Sequence, residues 1–143
     1  TGRKTGDIVL DYGCGPGSYV FPAAKIVGST GKVYAADIHP LAVKGIVKKA
    51  SRKQIQNIET IQTDCETELA SESIDIILLF DVIHMFKRPQ NIFDEMYRIL
   101  KTEGRLSVAN PHMKDENIIS KIENNSSFKF KEKCMKTFSF TKE

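Results

Sequence analysis

The stretch from Ile8 to Gly17, Ile-Val-Leu-Asp-Tyr-Gly-Cys-Gly-Pro-Gly, constrains the fold more than any other part of the 143 residues. Ile8 to Tyr12 is mostly apolar and of strand length, as expected for a strand buried on both faces of a parallel sheet. Three glycines follow, and then an apolar helical segment, Pro22 to Val27, closed by Gly28. Strand, glycine turn and helix in this order place a main-chain loop at the carboxyl end of a strand. Glycine lets that loop turn sharply and lets a ligand come within contact distance of the backbone. In open α/β sheets this is the edge where ligands bind. Alone, such a turn admits any nucleotide-like ligand.

The rest of the chain repeats the alternation of short β-type runs with amphipathic helices. Lys32 to Ala36 is a second strand, and Pro40 suits the first position of the next helix because its missing N–H has no partner there anyway. Ala42, Val43, Ile46, Val47 and Ala50 then recur at helical spacing. Asn57 to Gln62 is a third strand with Ile58 and Ile61 as core candidates, and Ile74 to Phe80 is the most apolar run, a central strand. Ile92, Phe93, Met96, Tyr97, Ile99 and Leu100 mark a helix with Gly104 just past its end, followed by a strand from Arg105 to Ala109. A short polar helix spans Lys114 to Glu123. Phe128-x-Phe130 and Phe138-x-Phe140 are read as two antiparallel edge strands. The fold class is α/β, with helices on both faces of the sheet.

Composition narrows the class. An apolar content of 41% and a charged content of 27% fit one globular domain over residues 1–143. No apolar run reaches the roughly 20 residues of a membrane span, and the polar start with Arg3, Lys4 and Asp7 is not a signal peptide. Cys14, Cys65 and Cys134 are odd in number and widely spaced, which reads as free thiols in the cytoplasm. His39, His84 and His112 lack metal-ligand spacing, so no metal is expected. The basic clusters at Lys44 to Lys53 and Lys129 to Lys142 are read as solvated faces rather than as a nucleic-acid surface.

Asp37, twenty residues after Gly17 at the end of the second strand, can accept hydrogen bonds from both hydroxyls of a ribose. A dinucleotide site of the Gly-x-Gly-x-x-Gly kind would need a third glycine where Ser18 stands, and it would gain nothing from Asp11. A sulfonium cofactor has no pyrophosphate and carries a cationic amino group, which favours nearby acids and carbonyls. Asp11 suits that need.

The whole constellation resembles the class I S-adenosylmethionine-dependent methyltransferases, above all the small-molecule branch typified by ubiquinone/menaquinone-biosynthesis enzymes. Val9 to Gly17 matches that family's first motif and Val33 to Pro40 its second. The Asp64-Cys65 pair is similar to its Asp-Ala type pair, Ser73-Ile-Asp75 to the segment before strand four, and Arg98 to Gly104 to its Arg-x-Leu-Lys-Pro-Gly-Gly segment. The resemblance implies a Rossmann-like three-layer sandwich whose seven-stranded, mostly parallel sheet has the order 3-2-1-4-5-7-6 and a C-terminal antiparallel hairpin. It implies S-adenosylmethionine as cofactor, with S-adenosylhomocysteine as product. The implied binding residues are Asp11, Gly13, Cys14, Gly15 and Gly17 at the first turn, Asp37 and Ile38 at ribose and adenine, Asp64 and Cys65 beside adenine, and Phe80 with Asp81 toward the amino group.

Departures from the family pattern are Thr102 and Glu103 in place of Pro and Gly, and Pro22, which implies a late or irregular start to the first helix. Only seven residues precede Ile8, where family members carry helices over the substrate site. An open site, a missing segment, a homodimer or a partner subunit would each account for that. In-line methyl transfer needs alignment of a small-molecule acceptor and a base only where the nucleophile holds a proton. His84, beyond strand four, is the candidate for that base. Tyr12 and Tyr19 are candidates for lining the methionine end. Asn110-Pro-His112 is set aside as a motif, and His39 and His112 are assigned to surface turns.

Overall fold

Ile8–Tyr12 forms β1, an interior strand of a seven-stranded sheet, in a computed structural model that describes residues 4–142. Arg3 lies outside the described residues. The other strands are β2 (Lys32–Asp37), β3 (Ile58–Gln62), β4 (Ile74–Phe80), β5 (Leu100–Ala109), β6 (Lys129–Cys134) and β7 (Thr137–Thr141). The helices are α1 (Val20–Val27), α2 (Pro40–Arg52), α3 (Pro89–Ile99) and α4 (Asp115–Asn124), with a 3-10 turn at Ile83–Met85. The order is β3-β2-β1-β4-β5-β7-β6, with the first five strands parallel and β7 antiparallel to both of its neighbours. This is the Rossmann-like sandwich and strand order that the family resemblance implied.

Alternation along the central strands divides the core between the two faces. Val9, Ile76 and Leu78 pack with Val20, Ala23, Ala24 and Val27 of α1 and Ile46 of α2. Leu10, Ile77 and Leu79 pack on the other face with Phe93, Met96 and Ile99 of α3 and Ile118 and Ile122 of α4. Helix α4 is therefore amphipathic, not simply polar. Ile58 and Ile61 stay half-buried because β3 is a sheet edge.

Pro22 is the third residue of α1, where no intrahelical partner awaits its missing N–H, so the helix begins two residues before it. Gly104 does not follow a helix end. The chain passes from α3 directly into β5 at Leu100, and Gly104 lies inside that strand at a register shift against β4. Space explains the glycine: a Cβ there would stand 2.6 Å from Leu100 Cδ1 and 2.9 Å from the Asp75 carbonyl oxygen. The terminal hairpin also differs from a pair of edge strands. β7 is interior, bonded to β5 through Leu106 to Val108 and to β6 on its other side, so of the two β6 is the edge. Phe138 and Phe140 are correspondingly buried, whereas β6 is exposed apart from half-buried Phe130. Asp75 ties the middle of the sheet together, accepting Ile8 N–H at 2.8 Å and Lys101 Nζ at 2.9 Å.

Candidate functional site

The carboxyl ends of β3, β2, β1 and β4 lie side by side, and the strand order reverses direction between β1 and β4. At that reversal the turn after β1 folds onto the end of β2. The N–H groups of Gly13 and Cys14 both donate to the Ala36 carbonyl, at 2.8 and 2.9 Å. Gly13, Gly15 and Gly17 all have positive φ, at 81°, 53° and 90°. Their surroundings separate two uses of glycine. A Cβ on Gly13 would lie 2.7 Å from Val82 Cγ2, and one on Gly17 2.7 Å from Phe21 Cε2. Gly15 has nothing within 4 Å of that position, so there the main chain is open to a ligand.

Asp37 sits against this opening and is 8% exposed. Its Oδ2 accepts Gly15 N–H and its Oδ1 accepts His39 N–H, both at 2.9 Å. Each carboxylate oxygen has two acceptor directions, so one remains on each for a ligand hydroxyl. The pair of amides fixes the orientation of the carboxylate. Asp11 is buried beneath the turn at 2% exposure. Burial, then the charges of Asp11 and Asp37, push the Cys14 thiol up to about 12. Cys14 is therefore a packed neutral thiol with no nucleophilic character. Ile38 is exposed beside Asp37.

At the end of β3, Asp64 is exposed and Cys65 half-buried. Tyr12 is turned into the core on the α3 side and does not line the open crevice. Its hydroxyl donates to the Asp64 carbonyl at 2.7 Å and its ring meets Phe86 edge-on. Burial first, then Cys65 and nearby acids, push the phenol well above its ordinary value, which keeps it a donor. Tyr12 thus holds the Asp64 loop in place. Burial and then Glu95 also raise the Cys65 thiol. A cavity of about 670 Å³ lies against Asp64 and Cys65, with Glu66, Asn91 and Asp94 among its walls. Glu95 fastens the loop to α3. It accepts Thr67 N–H and Oγ1 at 2.9 and 2.7 Å, and pairs with Arg98 through both carboxylate oxygens at 2.9 Å. Those bonds, Arg98's above all, hold its carboxyl down at about 2.

At the end of β4, Phe80 meets Tyr19 edge-on with 4.7 Å between ring centroids. Tyr19 is half-exposed and remains a candidate wall. Asp81 has φ 58° and donates its N–H to Ala109 at the end of β5, a backbone conformation Asp tolerates better than most residues. Its Oδ1 lies 3.3 Å from His112 Nε2 and 3.9 Å from His84 Nδ1. Asn110 is buried, with Nδ2 at 2.9 Å from His84 Nδ1 and Oδ1 accepting His112 N–H at 3.3 Å. His112 is exposed, as a surface turn requires, but it belongs to this cluster, 5.2 Å ring to ring from His84. The neighbouring ends of β4 and β5 bring together residues far apart in the chain. His39 lies away from them, in an exposed turn as the N-cap of α2.

Among the described residues, no group of three His, Cys, Asp or Glu side chains is arranged to hold a metal ion. No helix among them is long and apolar enough to cross a membrane.

Comparison with known proteins fits this geometry. A family model described as a methyltransferase domain matches residues 3–142. The aklanonic acid methyltransferase DauC of Streptomyces sp. (strain C5) is 37% identical over 106 residues, covering 68% of this chain and 48% of that protein. The ubiquinone/menaquinone biosynthesis C-methyltransferase UbiE of Pseudomonas fluorescens is 30% identical over 132 residues, covering 91% and 52%. The chain thus spans about half the length of these relatives. A SAM-dependent methyltransferase from Aquifex aeolicus superposes with a TM-score of 0.85 at 23% identity, over 97% of this chain and 82% of that one. The match to the family model along almost the whole chain, on a sheet of the same strand order, shows that the chain belongs to the class I S-adenosylmethionine-dependent methyltransferase family.

Proposed function

We propose that this chain is the cofactor-binding and catalytic domain of an S-adenosylmethionine-dependent methyltransferase acting on a small-molecule acceptor. The observation that carries the reading is the pairing of the open main chain at Gly15 with the Asp37 carboxylate, aimed by two amides and retaining a free acceptor direction on each oxygen.

When bound, S-adenosylmethionine supplies a methyl group activated by a sulfonium, which an acceptor lone pair displaces in line. The chain's own residues bind and orient. Asp37 holds the ribose diol, Ile38 and Cys65 flank the adenine, and Asp64 accepts from its amino group. Gly13, Cys14, Gly15 and Gly17 form the cradle. Asp11, with Asp81 and the Phe80 main chain, sets negative potential toward the cationic amino group. His84 is the side chain proposed to face the acceptor, with the Tyr19 ring as a further proposed wall.

One relative is named for a small acid and the other for ubiquinone/menaquinone biosynthesis, which supports a small-molecule acceptor here. Three free cysteines support a cytoplasmic setting. A second copy of the chain or a partner subunit over the His84 side is a further proposal, which sedimentation analysis would test. The activity itself is tested by calorimetric titration with S-adenosylhomocysteine, followed by transfer of labelled methyl to a panel of small acceptors. No binding at millimolar ligand would overturn the reading.

A further inference from the structure

The contacts around His84 determine more than its position. Asn110 lies in a turn of the Asx type. Its side-chain Oδ1 accepts the N–H of His112 two residues on, and its carbonyl accepts the N–H of Met113. A backbone N–H can only donate, so the atom facing it must be the amide oxygen. That contact fixes which way the Asn110 amide points. Its NH₂ group is then the one that lies 2.9 Å from His84 Nδ1. An amide NH₂ can only donate, so a neutral His84 must present Nδ1 as a bare acceptor and carry its proton on Nε2. The competing acceptor for an Nδ1 proton is the Asp81 carboxylate, and at 3.9 Å it is outside hydrogen-bonding range. Asp81 instead lies nearer His112 Nε2.

We infer that Asn110 is a positioning residue that fixes the His84 proton on Nε2, so that His84 meets the acceptor as a hydrogen-bond donor rather than as a base. The consequence for the acceptor rests on the methyltransferase reading above. An Nε2–H donor holds an oxygen lone pair, so the site suits an acceptor with a carbonyl, carboxylate or phenolate oxygen beside the atom that receives the methyl group. A nucleophile that must lose its proton to His84 is disfavoured.

The test is the tautomer itself, read from ¹⁵N shifts and ring ¹H–¹⁵N correlations of histidine-labelled full chain at alkaline pH, where imidazoles are neutral. His39, exposed and away from the cluster, is the internal reference. In the wild-type protein, His84 should show a bare Nδ1 and a protonated Nε2, with a stronger bias than His39. Asn110→Asp puts an acceptor in place of the NH₂ and should move the proton to Nδ1, reversing the pattern for His84 while leaving His39 unchanged. Asn110→Ala, which keeps the measurement available if the aspartate variant fails to fold, should relax His84 toward the mixture shown by His39. A protonated Nδ1 in the wild-type protein, or a His84 pattern indifferent to the folded variants, would overturn the inference. The measurement needs no cofactor, so it stands or falls separately from S-adenosylhomocysteine binding, whose absence would overturn only the activity and with it the consequence for the acceptor.

Discussion

Replacing Asp37 with asparagine tests how the crevice is built. The two side chains have the same shape, but a carboxylate accepts at both ends and an amide at only one. In the native site both ends are engaged, by Gly15 N–H and by His39 N–H at 2.9 Å each. In Asp37→Asn the amide oxygen can serve only one of them, and the NH₂ must face the other N–H. Losing one charge-assisted bond and setting a donor against a donor at a nearly buried position destabilises the fold by about 2–3 kcal/mol. For a chain of this length that lowers Tm by roughly 5–10 °C. The ligand loses the charged acceptor direction at the same end, worth about 1.5–3 kcal/mol, or roughly a 10- to 150-fold rise in Kd. Calorimetry with S-adenosylhomocysteine, run well below the Tm of both proteins, reads the second effect, and a thermal scan reads the first. A folded Asp37→Asn protein that binds within about threefold of the native affinity would refute the assignment of this carboxylate to the ribose. A lowered Tm with that same affinity would leave Asp37 as a brace for the glycine turn and nothing more.

Other positions give further expectations. Gly104→Ala forces a methyl group into the Leu100 side chain and the Asp75 carbonyl, so urea unfolding should show a loss of about 1–3 kcal/mol; an unchanged midpoint would contradict the packing of β4 on β5. Glu95 has its carboxyl lowered from its ordinary 4.5 to about 2 by Arg98 and Thr67. Its contribution is therefore full above about pH 4.5 and lost as pH falls toward 2. Glu95→Gln should remove about 2–3 kcal/mol at pH 7 and flatten the decline between about pH 5 and 2.5 in urea titrations, whereas a parallel decline in both proteins would sink this account. The thiols should react with an aromatic disulfide reagent in order of exposure at about pH 8, Cys134 first, Cys65 more slowly and Cys14 only on unfolding. Rapid labelling of Cys14 in the folded chain would contradict its burial.

How much of this was legible in the sequence depends on the range of each signal. The glycine turn, Asp37 and the strand runs are local. Each is readable because a turn or a buried strand imposes residue types on its own few positions. Gly104 was misassigned because two mechanisms put glycine after an amphipathic helix. A glycine just past the helix end was the reading, but the actual cause is a close approach by the Asp75 carbonyl from another strand, which spacing along one helix cannot report. Tyr12 is a similar case. Its place beside the glycines suggested the crevice, but strand alternation turns it to the face of Leu10 and toward α3. Counting alternate positions from Leu10 would have found this.

The acceptor side of the site was the least legible, and the reason lies in the topology. The cluster proposed for it, Asp81, His84, Asn110 and His112, meets only because β4 and β5 are neighbours and end at the same level. In the sequence His84 stood out as a lone titratable residue and was the candidate for the base. Asn110-Pro111-His112 stood out as a motif in the wrong place and was set aside. Both judgements treated each side chain singly. What an imidazole can do is set by the partner of its other nitrogen, and here that partner is 26 residues away. A single sequence can therefore nominate a histidine for a proposed acceptor site. It takes the neighbouring strand end to say whether that histidine takes a proton there or offers one.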